Sequence, residues 1–232
     1  MIPVHKKGDA RDVSNYRPIS LLPVFAKLLE KLMYNRLTEC IERNEILTEE
    51  QQGFRIKKST DTALQSFTKR VQEAIEKKMN PTGIFLDLTK AYDVLRHKVL
   101  LSKLDTYGIR GVANKWFESY LSRRKQCVEI KSKKHRTAVS ATRDIMNGVP
   151  QGSTLGPILF LLYINDLPLN VAGTNIVLFA DDNNLLITGE NINTVQSSLN
   201  SVMHDILTWF FLNSLIVNTG KISTISFHIT QN

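Results

Sequence analysis

The stretch NIVLFADDNNLLIT, residues 175–188, places two adjacent aspartates, Asp181 and Asp182, between two apolar runs. Apolar runs this short and continuous are typical of β-strands that are covered on both faces. A tight turn between two such strands would display both carboxylates at one end of a sheet. The alternative is an ordinary solvated β-turn, because Asp and Asn favour turns in any case. Two like charges beside buried strands are unfavourable unless something positive lies there.

A third aspartate also follows an apolar strand, far away in the sequence. In GIFLDLTKAYD, residues 83–93, Asp87 comes directly after the apolar run Ile84–Leu86. A carboxylate at the end of a buried strand is costly unless it is paired or bound to a metal. If both strands lie in one sheet, Asp87 and Asp181 can meet. Grouped carboxylates suit Mg²⁺, and two such ions can clamp the attacking and leaving oxygens of a phosphoryl transfer.

The rest of the chain mixes helical and extended patterns without regular βαβ alternation. Apolar residues recur at helical spacing over the ranges 24–43, 60–78, 97–107, 112–122, 155–166 and 193–211. Extended patterns predict a hairpin and two closing strands, over the ranges 126–130 with 138–142, then 215–217 and 224–228. The first segment, to Pro23, is predicted to be a loop with RPISLLP extended. The mixture predicts an α+β fold.

Composition and charge narrow the classes of partner. The chain has 232 residues and a formal net charge of +8 at pH 7, which suits nucleic acid or an acidic membrane face. The charged amino-terminal residues contain no signal-peptide core. The longest apolar run, 157–164, is too short to cross a bilayer. We therefore expect an intracellular protein, nuclear or cytoplasmic, with one sizeable core or two small subdomains.

Six stretches together resemble one protein family. They are, in order, NYRPISLL (15–22), QQGFRIKKST (51–60), FLDLTKAYD (85–93), NGVPQGSTLGPILFLLYINDLP (147–168), LFADDNNL (178–185) and LTWFFLNSLIVNTGK (207–221). Their order and spacing are similar to the reverse transcriptase domain of non-LTR (LINE-type) retrotransposons, in particular the jockey-like group. The resemblance runs nearly from end to end.

The resemblance implies both a fold and an activity. The fold is a right-hand polymerase with helical fingers, mainly 1–80, and an antiparallel palm sheet packed on helices, mainly 81–232. The activity is that of an RNA-directed DNA polymerase, which takes an RNA template, a DNA primer and deoxynucleoside triphosphates. It also implies two Mg²⁺ ions, for which Mn²⁺ can substitute.

The resemblance assigns roles to particular residues around the metal. Asp87, Asp181 and Asp182 become the catalytic, metal-binding carboxylates, and the backbone carbonyl of Leu88 becomes a further metal ligand. Tyr92 matches the aromatic residue that faces the sugar, where a flat ring would collide with a ribose 2′-OH and favour deoxynucleotides. Without its flanking residues, Tyr92 is better explained as a core aromatic.

Four more residues match substrate-binding positions of the family. Arg55 matches a fingers residue that contacts the incoming triphosphate, and its guanidinium suits phosphate oxygens. Gln151 and Gly152 lie in the loop 148–153, which the family places beside the nucleotide and template. Lys221 matches a lysine near the phosphates that would donate a proton to pyrophosphate. The plain alternatives are a surface arginine, an ordinary loop and a solvated lysine.

A basic stretch runs from Arg123 to Arg136 and carries seven cationic residues against one acid, Glu129. Such a run is usually a solvated face. In this family it is expected to follow template or primer phosphates, with sequence-independent and salt-sensitive binding.

The chain departs from the family pattern in detail and extent. Asn183 stands where the family often has Thr, and Ile222 where Thr usually follows the lysine. No endonuclease domain precedes the first motif and no complete thumb follows the last, so we expect the isolated chain to bind primer–template poorly. The alternative function is a truncated or domesticated remnant that binds nucleic acid without catalysis. A group II intron-type or retron enzyme would share the metal site but fits NYRPISLL and GVPQGSTLGP less well.

Overall fold

The computed structural model describes residues 1–131 and 137–227. The α-helices are α1 (Val24–Arg43), α2 (Thr60–Glu76), α3 (Ala91–Val94), α4 (His97–Thr106), α5 (Gly111–Leu121), α6 (Leu155–Ile164), α7 (Leu167–Asn170) and α8 (Ile192–Leu212). The strands are β1 (Ile2–His5), β2 (Tyr16–Ile19), β3 (Asn80–Asp87), β4 (Lys125–Gln126), β5 (Glu129–Lys131), β6 (Thr137–Val139), β7 (Arg143–Asp144), β8 (Asn175–Phe179), β9 (Asp182–Gly189) and β10 (Ser223–Ser226). The predicted α+β class is confirmed.

The chain divides into two compact units. The first, here called the sheet unit, comprises Asn44–Ala91 and the described residues from Phe160 onward. It is built around a four-stranded antiparallel sheet in the order β10-β3-β9-β8. The predicted hairpin of β8 and β9 is confirmed. The strand that ends at Asp87 begins before its apolar run, at Asn80, because residues 80–83 also pair with β9 and residues 82–83 with β10.

The sheet is covered on both faces, as its apolar runs predict. On one face, Ala63, Phe67 and Val71 of α2 pack against Val177 and Leu186. Helix α8 packs against β3 and β9. The strand residues that point to the other face are fully buried, and they include Ile84, Leu86, Leu178, Leu185 and Ile187. Each such side chain contributes about 1.5–3 kcal/mol by leaving water.

The second unit, here called the helical unit, comprises Met1–Arg43 and Tyr92–Leu159. Its helices α1, α4 and α5 lie where helical spacing predicts them. The loop predicted up to Pro23 is wrong in part, since β1 and β2 form an antiparallel hairpin with Ile2 opposite Ile19. The predicted hairpin after α5 is confirmed by the pairing of β5 with β6. Residues 132–136 and the predicted strand end at His228 lie outside the described residues.

A buried carboxylate in the helical unit ties three segments together. The Glu30 side chain is 1% exposed, and it accepts hydrogen bonds from the Tyr120 hydroxyl at 2.7 Å and the Thr154 backbone N–H at 2.8 Å. Burial, and then the Glu30 carboxylate, raise the pKa of Tyr120 well above its usual range. Glu30 therefore links α1 to α5 and to the turn before α6.

Within residues 1–131 and 137–227, no helix combines the length and the apolar character that crossing a membrane requires.

Candidate active site

The paired aspartates lie on a tight turn between β8 and β9. Phe179 and Asp182 pair across the two strands, which leaves Ala180 and Asp181 as a two-residue turn. Such turns require a positive φ, and Ala180 has φ 55°. Asp181 therefore stands at the tip of the hairpin, and Asp182 is the first residue of β9. We call Ala180 and Asp181 the acid turn.

Asp87 meets this turn from the neighbouring strand. It is the last residue of β3, and it lies directly opposite Asp182 in the antiparallel register. Residues so opposed have Cα atoms about 4.5–5.5 Å apart. The prediction that the two distant aspartate segments meet at one end of a sheet is therefore confirmed.

The three carboxylates influence one another electrostatically. The Asp182 side chain reaches solvent at one side, yet the surrounding protein and then the charges of Asp181 and Asp87 raise its pKa above its ordinary value. The Lys221 ammonium opposes this effect. The three carboxylates thus carry more negative charge than the Lys221 ammonium group neutralises. A nearby positive charge favours the ionised form of a carboxyl group, so such a site attracts cations.

Asp182→Asn is expected to stabilise the fold at neutral pH. Because the folded-state pKa of Asp182 lies above its ordinary 3.8, the folded protein binds this proton more tightly than the unfolded chain does. The stabilisation is present at low pH and is lost as the pH rises through the raised pKa. At pH 7 the free energy of unfolding of the asparagine variant should exceed that of the wild type by about 0.5–1 kcal/mol. The difference is small because solvent screens the partly exposed carboxyl group.

Urea unfolding of both proteins from pH 4 to pH 7 measures this difference, which should grow with pH. Asp12 provides a control of opposite sign, because a hydrogen bond from the Ser14 backbone N–H lowers its pKa. A difference for Asp182→Asn that shrinks with rising pH would contradict the prediction.

Lys221 lies beside Asp87 in the carboxylate cluster. Its Nζ donates to Asp87 Oδ2 at 2.8 Å, and Asn218 Nδ2 donates to the same oxygen at 3.4 Å. The Asn218 backbone N–H also donates to the Asp87 carbonyl at 2.8 Å. In the described ranges, no three acidic, histidine or cysteine side chains are arranged to hold a metal ion.

A cavity of about 450 Å³ opens beside the carboxylates in the sheet unit. Asp87, Asp182 and Lys221 line one part of it. Most of the remaining wall is apolar and is formed by Ala63, Leu64, Phe67, Phe85, Leu86 and Phe179. The cavity thus combines charged groups with a largely aromatic surface, as small-molecule sites commonly do.

Arg55 lies in the sheet unit and is engaged with its own segment. Its Nη1 donates to the Thr48 carbonyl at 2.7 Å and to the Gln51 carbonyl at 3.3 Å. The side chain is half-buried rather than a free surface arginine. The structure therefore gives Arg55 a local role in closing the turn 48–51.

The other predicted substrate residues lie in the helical unit. Val149 N–H donates to the Tyr92 carbonyl at 2.8 Å, and Gly148 N–H donates to the Leu95 carbonyl at 2.7 Å. The Gln151 side chain donates to Asp93 at 3.3 Å. The loop 148–152, which contains Gln151 and Gly152, is therefore fixed against the segment that carries Tyr92.

Two residues of the basic stretch, Arg124 and Lys125, contact other side chains of the helical unit. The Arg124 guanidinium lies 5.0 Å from the ring centre of Tyr120, and Lys125 Nζ lies 3.9 Å from the Asp144 carboxylate. Lys133, Lys134 and Arg136 fall outside the described residues.

Sequence reasoning missed two polar residues that contact the acid turn. The Gln51 and Asn183 side chains are both 0% exposed. Gln51 accepts from the Ala180 backbone N–H, and Asn183 donates to the Asp181 carbonyl. For Asn183 the available signal is a polar residue inside an apolar strand, whereas nothing local distinguishes Gln51 from Gln52.

The sequence matches the family described as reverse transcriptase (RNA-dependent DNA polymerase) over residues 4–230. The RNA-directed DNA polymerase from the mobile element jockey of Drosophila melanogaster is 30% identical over 98% of this chain and 25% of its own length. Its counterpart from Drosophila funebris is 30% identical over 93% of this chain and 24% of its own length. The chain thus spans about a quarter of the length of these relatives.

Solved structures show the same fold. Telomerase from Candida tropicalis, in complex with a fragment of telomeric RNA, superposes with a TM-score of 0.53 at 15% identity. The match covers 87% of this chain and 33% of the telomerase chain, and it supports the predicted polymerase architecture of palm sheet and helices. Given the family match over nearly its whole length, the chain belongs to the reverse transcriptase (RNA-dependent DNA polymerase) family, as its six motifs predicted.

Proposed function

We propose that this chain is the RNA-directed DNA polymerase domain of a non-LTR retrotransposon. It adds deoxynucleotides to a primer 3′-hydroxyl, which attacks the α-phosphorus of the incoming triphosphate while pyrophosphate leaves. The observation that carries the proposal is the register of β3 and β9, which sets Asp87 opposite Asp182 beside the acid turn. Acids that are far apart in the sequence yet aligned at one end of a sheet, beside an open cavity, are the arrangement that functional sites characteristically show.

The chemistry of the donor set suits hard divalent cations, but the carboxylates would have to move to hold one together. Carboxylate oxygens are ligands that Mg²⁺ prefers, and the charges of Asp181 and Asp87 add to the effect of burial in raising the pKa of Asp182. Asp87, Asp181 and Asp182 would hold two Mg²⁺ ions, with Mn²⁺ as a substitute. When bound, such ions supply Lewis-acid activation of the attacking hydroxyl and neutralisation of the leaving phosphates.

The backbone carbonyl of Leu88 suits the role of an additional ligand. The Asp87 carbonyl accepts from Asn218 N–H, and Thr89 N–H donates to the Ile216 carbonyl. Successive residues of a strand direct their backbone groups to opposite edges. The Leu88 carbonyl therefore points away from the segment 216–218 and toward the side on which β9 pairs with β3.

Two cationic side chains of the sheet unit serve the phosphates. The Lys221 ammonium group lies 2.8 Å from the Asp87 carboxylate. From there it can stabilise the negative charge that develops on pyrophosphate and donate a proton to it. Arg55 uses Nη1 for its carbonyl contacts, and a guanidinium has five N–H donors in all. Its remaining donors can contact the triphosphate without release of the turn that it closes.

The residues of the helical unit act on the sugar and the template. Family motifs support this assignment: Tyr92 would exclude a ribose 2′-OH, and Gln151 and Gly152 would border the nucleotide. The Val149–Tyr92 and Gln151–Asp93 hydrogen bonds hold the loop 148–152 against the segment that carries Tyr92. This supports the proposal that these residues form one rigid surface for the nucleotide. Within the sheet unit itself, the cavity beside the carboxylates, of about 450 Å³, falls in the size range of small-molecule sites.

The partners that follow from this function are an RNA template, a DNA primer and deoxynucleoside triphosphates. These substrates occur in the nucleus and the cytoplasm, and we propose that the polymerase works there.

Primer extension on poly(rA)/oligo(dT) with Mg²⁺ or Mn²⁺ tests the proposal. We expect incorporation of dTTP that chelation by EDTA abolishes and that Asp181→Asn removes. Asp205→Asn, which changes an aspartate on α8 that is not among the charges acting on Asp182, serves as the matched control and should extend normally. If the well-folded wild-type chain binds the template but incorporates no nucleotide, the proposal fails. The chain is then a non-catalytic remnant that binds nucleic acid.

A further inference from the structure

We propose that Gln51 and Asn183 are positioning residues that hold the acid turn in its working geometry. The inference rests on the proposed function, because it assigns these two amides a task in aligning the metal-binding carboxylates. Neither side chain reaches the reacting groups. Both act through the backbone of Ala180 and Asp181.

The segment Glu50–Gly53 runs alongside β8 and extends the sheet edge at the turn. Leu178 N–H donates to the Glu50 carbonyl at 2.9 Å, and Gln52 N–H donates to the Leu178 carbonyl at 2.8 Å. Gln51 and Leu178 form a parallel bridge. The segment is therefore fixed by its backbone to β8 at Leu178, two residues before the acid turn begins.

The Gln51 side chain continues this attachment into the turn itself. Its Oε1 accepts from Gly53 N–H at 2.8 Å and from Ala180 N–H at 3.2 Å. A Cβ at Gly53 would lie 2.5 Å from the Ala180 backbone nitrogen. Only glycine allows this close approach, so Gly53 and Gln51 together fit the segment closely to the turn.

Asn183 holds the other end of the same turn. Its Nδ2 donates to the Asp181 carbonyl at 2.9 Å. The two buried amides therefore form hydrogen bonds to successive residues, Gln51 with the Ala180 N–H and Asn183 with the Asp181 C=O. This arrangement fixes the two peptide planes, 179–180 and 181–182, that enter and leave the acid turn.

The turn needs such support for two reasons. Ala180 has φ 55°, a conformation that residues with a Cβ adopt at a cost and retain only when their surroundings impose it. Asp181 and Asp182 are also adjacent like charges at the tip of one hairpin, and like charges repel each other. The two amides therefore support a backbone conformation that its own side chains do not favour.

The hydrogen-bond pattern of the two amides argues against a purely stabilising role. Gln51 Nε2 and Asn183 Oδ1 are both buried without a partner in the described part of the chain. A buried polar atom without a partner costs stability relative to an apolar side chain of the same shape. Residues chosen for stability alone would be apolar here, whereas residues chosen to orient a backbone need only the half of each amide that is bonded.

Gln51→Met and Gln52→Met form a matched pair that tests the role of Gln51. Both remove a buried amide from adjacent residues, but the Gln52 side chain contacts Glu49 and Thr62 rather than the acid turn. For Gln51→Met in the full chain we expect about 10–100-fold weaker Mn²⁺ binding by electron paramagnetic resonance, the range seen when a ligand loses its supporting contact. Amide hydrogen exchange at Ala180 should accelerate, and kcat for primer extension should fall similarly with little change in KM for dTTP. Gln52→Met should leave all three unchanged.

Asn183→Val and Asn183→Thr provide the second pair, since valine and threonine share a shape but only threonine retains a donor. Threonine should rescue Mn²⁺ affinity and valine should not. Equal Mn²⁺ affinity and Ala180 exchange for Gln51→Met and Gln52→Met, or for the threonine and valine variants, would overturn the positioning role. If the wild-type chain extends no primer, the proposed function fails, while Mn²⁺ binding and amide exchange still decide the inference.

Discussion

Asp87→Asn is expected to lower the rate of primer extension by about 10³-fold or more. The amide keeps the shape of the side chain but removes the charge that would neutralise a divalent cation opposite Asp182. Metal-ion stabilisation of a phosphoryl-transfer transition state is worth several kcal/mol, and each 1.36 kcal/mol corresponds to a factor of ten. Single-turnover extension with saturating Mg²⁺ measures the loss.

The same substitution should barely change stability. The ion pair that it removes joins a lysine that is 50% exposed to an aspartate that is 30% exposed, and such pairs contribute about 0–1 kcal/mol. Lys221→Met is the matched control, because it breaks the same pair but leaves the carboxylate in place. It should retain far more activity than Asp87→Asn. Extension by Asp87→Asn within tenfold of wild type would exclude Asp87 as a metal ligand.

Gly148→Ala is expected to lower the free energy of unfolding by about 2–4 kcal/mol. Gly148 has φ 83°, and a Cβ there would lie 2.6 Å from the Asp93 carbonyl oxygen. The left-handed conformation alone costs a residue with a Cβ about 1–2 kcal/mol. The clash adds to this cost, because the obstacle is backbone that is held by the Gly148–Leu95 and Val149–Tyr92 hydrogen bonds. Urea unfolding, monitored by the fluorescence of Trp116 in the same unit, measures the change.

Gly108→Ala separates the two contributions. Gly108 has φ 86°, almost the same conformation, but no atom lies within 4 Å of a Cβ placed there. It should therefore show only the conformational cost of about 1–2 kcal/mol. Equal losses for the two variants would mean that the loop 147–153 yields to the added methyl group, and that Gly148 is not needed for its close approach to Asp93.

Periodicity predicted the elements that bury apolar faces. The helix predicted over 24–43 has the bounds of α1, and the two apolar runs around Asp181 became β8 and β9. These predictions succeed because burial on one or both faces imposes a spacing that is visible in any short window. The meeting of Asp87 with the acid turn could also be inferred, since an acid that ends a buried strand needs a partner of some kind.

Elements defined by long-range pairing were not predictable in the same way. Pro81 and Gly83 are typical of a chain break, yet they lie in β3 because β9 and β10 pair with them on both sides. The β1–β2 hairpin consists of short, mostly polar strands whose pattern does not differ from that of a loop. The contacts of Arg55, Gln51 and Asn183 depend on which backbone groups the fold brings near them. No local sequence pattern contains that information.

The ion pair between Lys221 and Asp87 means that the resting site already contains its own counterion. Lys221 contacts Oδ2 of Asp87. On the proposed function, a divalent cation that bound Asp87 through this oxygen would exchange one positive charge for another rather than simply add one. The displaced ammonium would remain on the same short segment, beside the position proposed for the triphosphate. Binding of the cation at Oδ2 and release of Lys221 would then be linked.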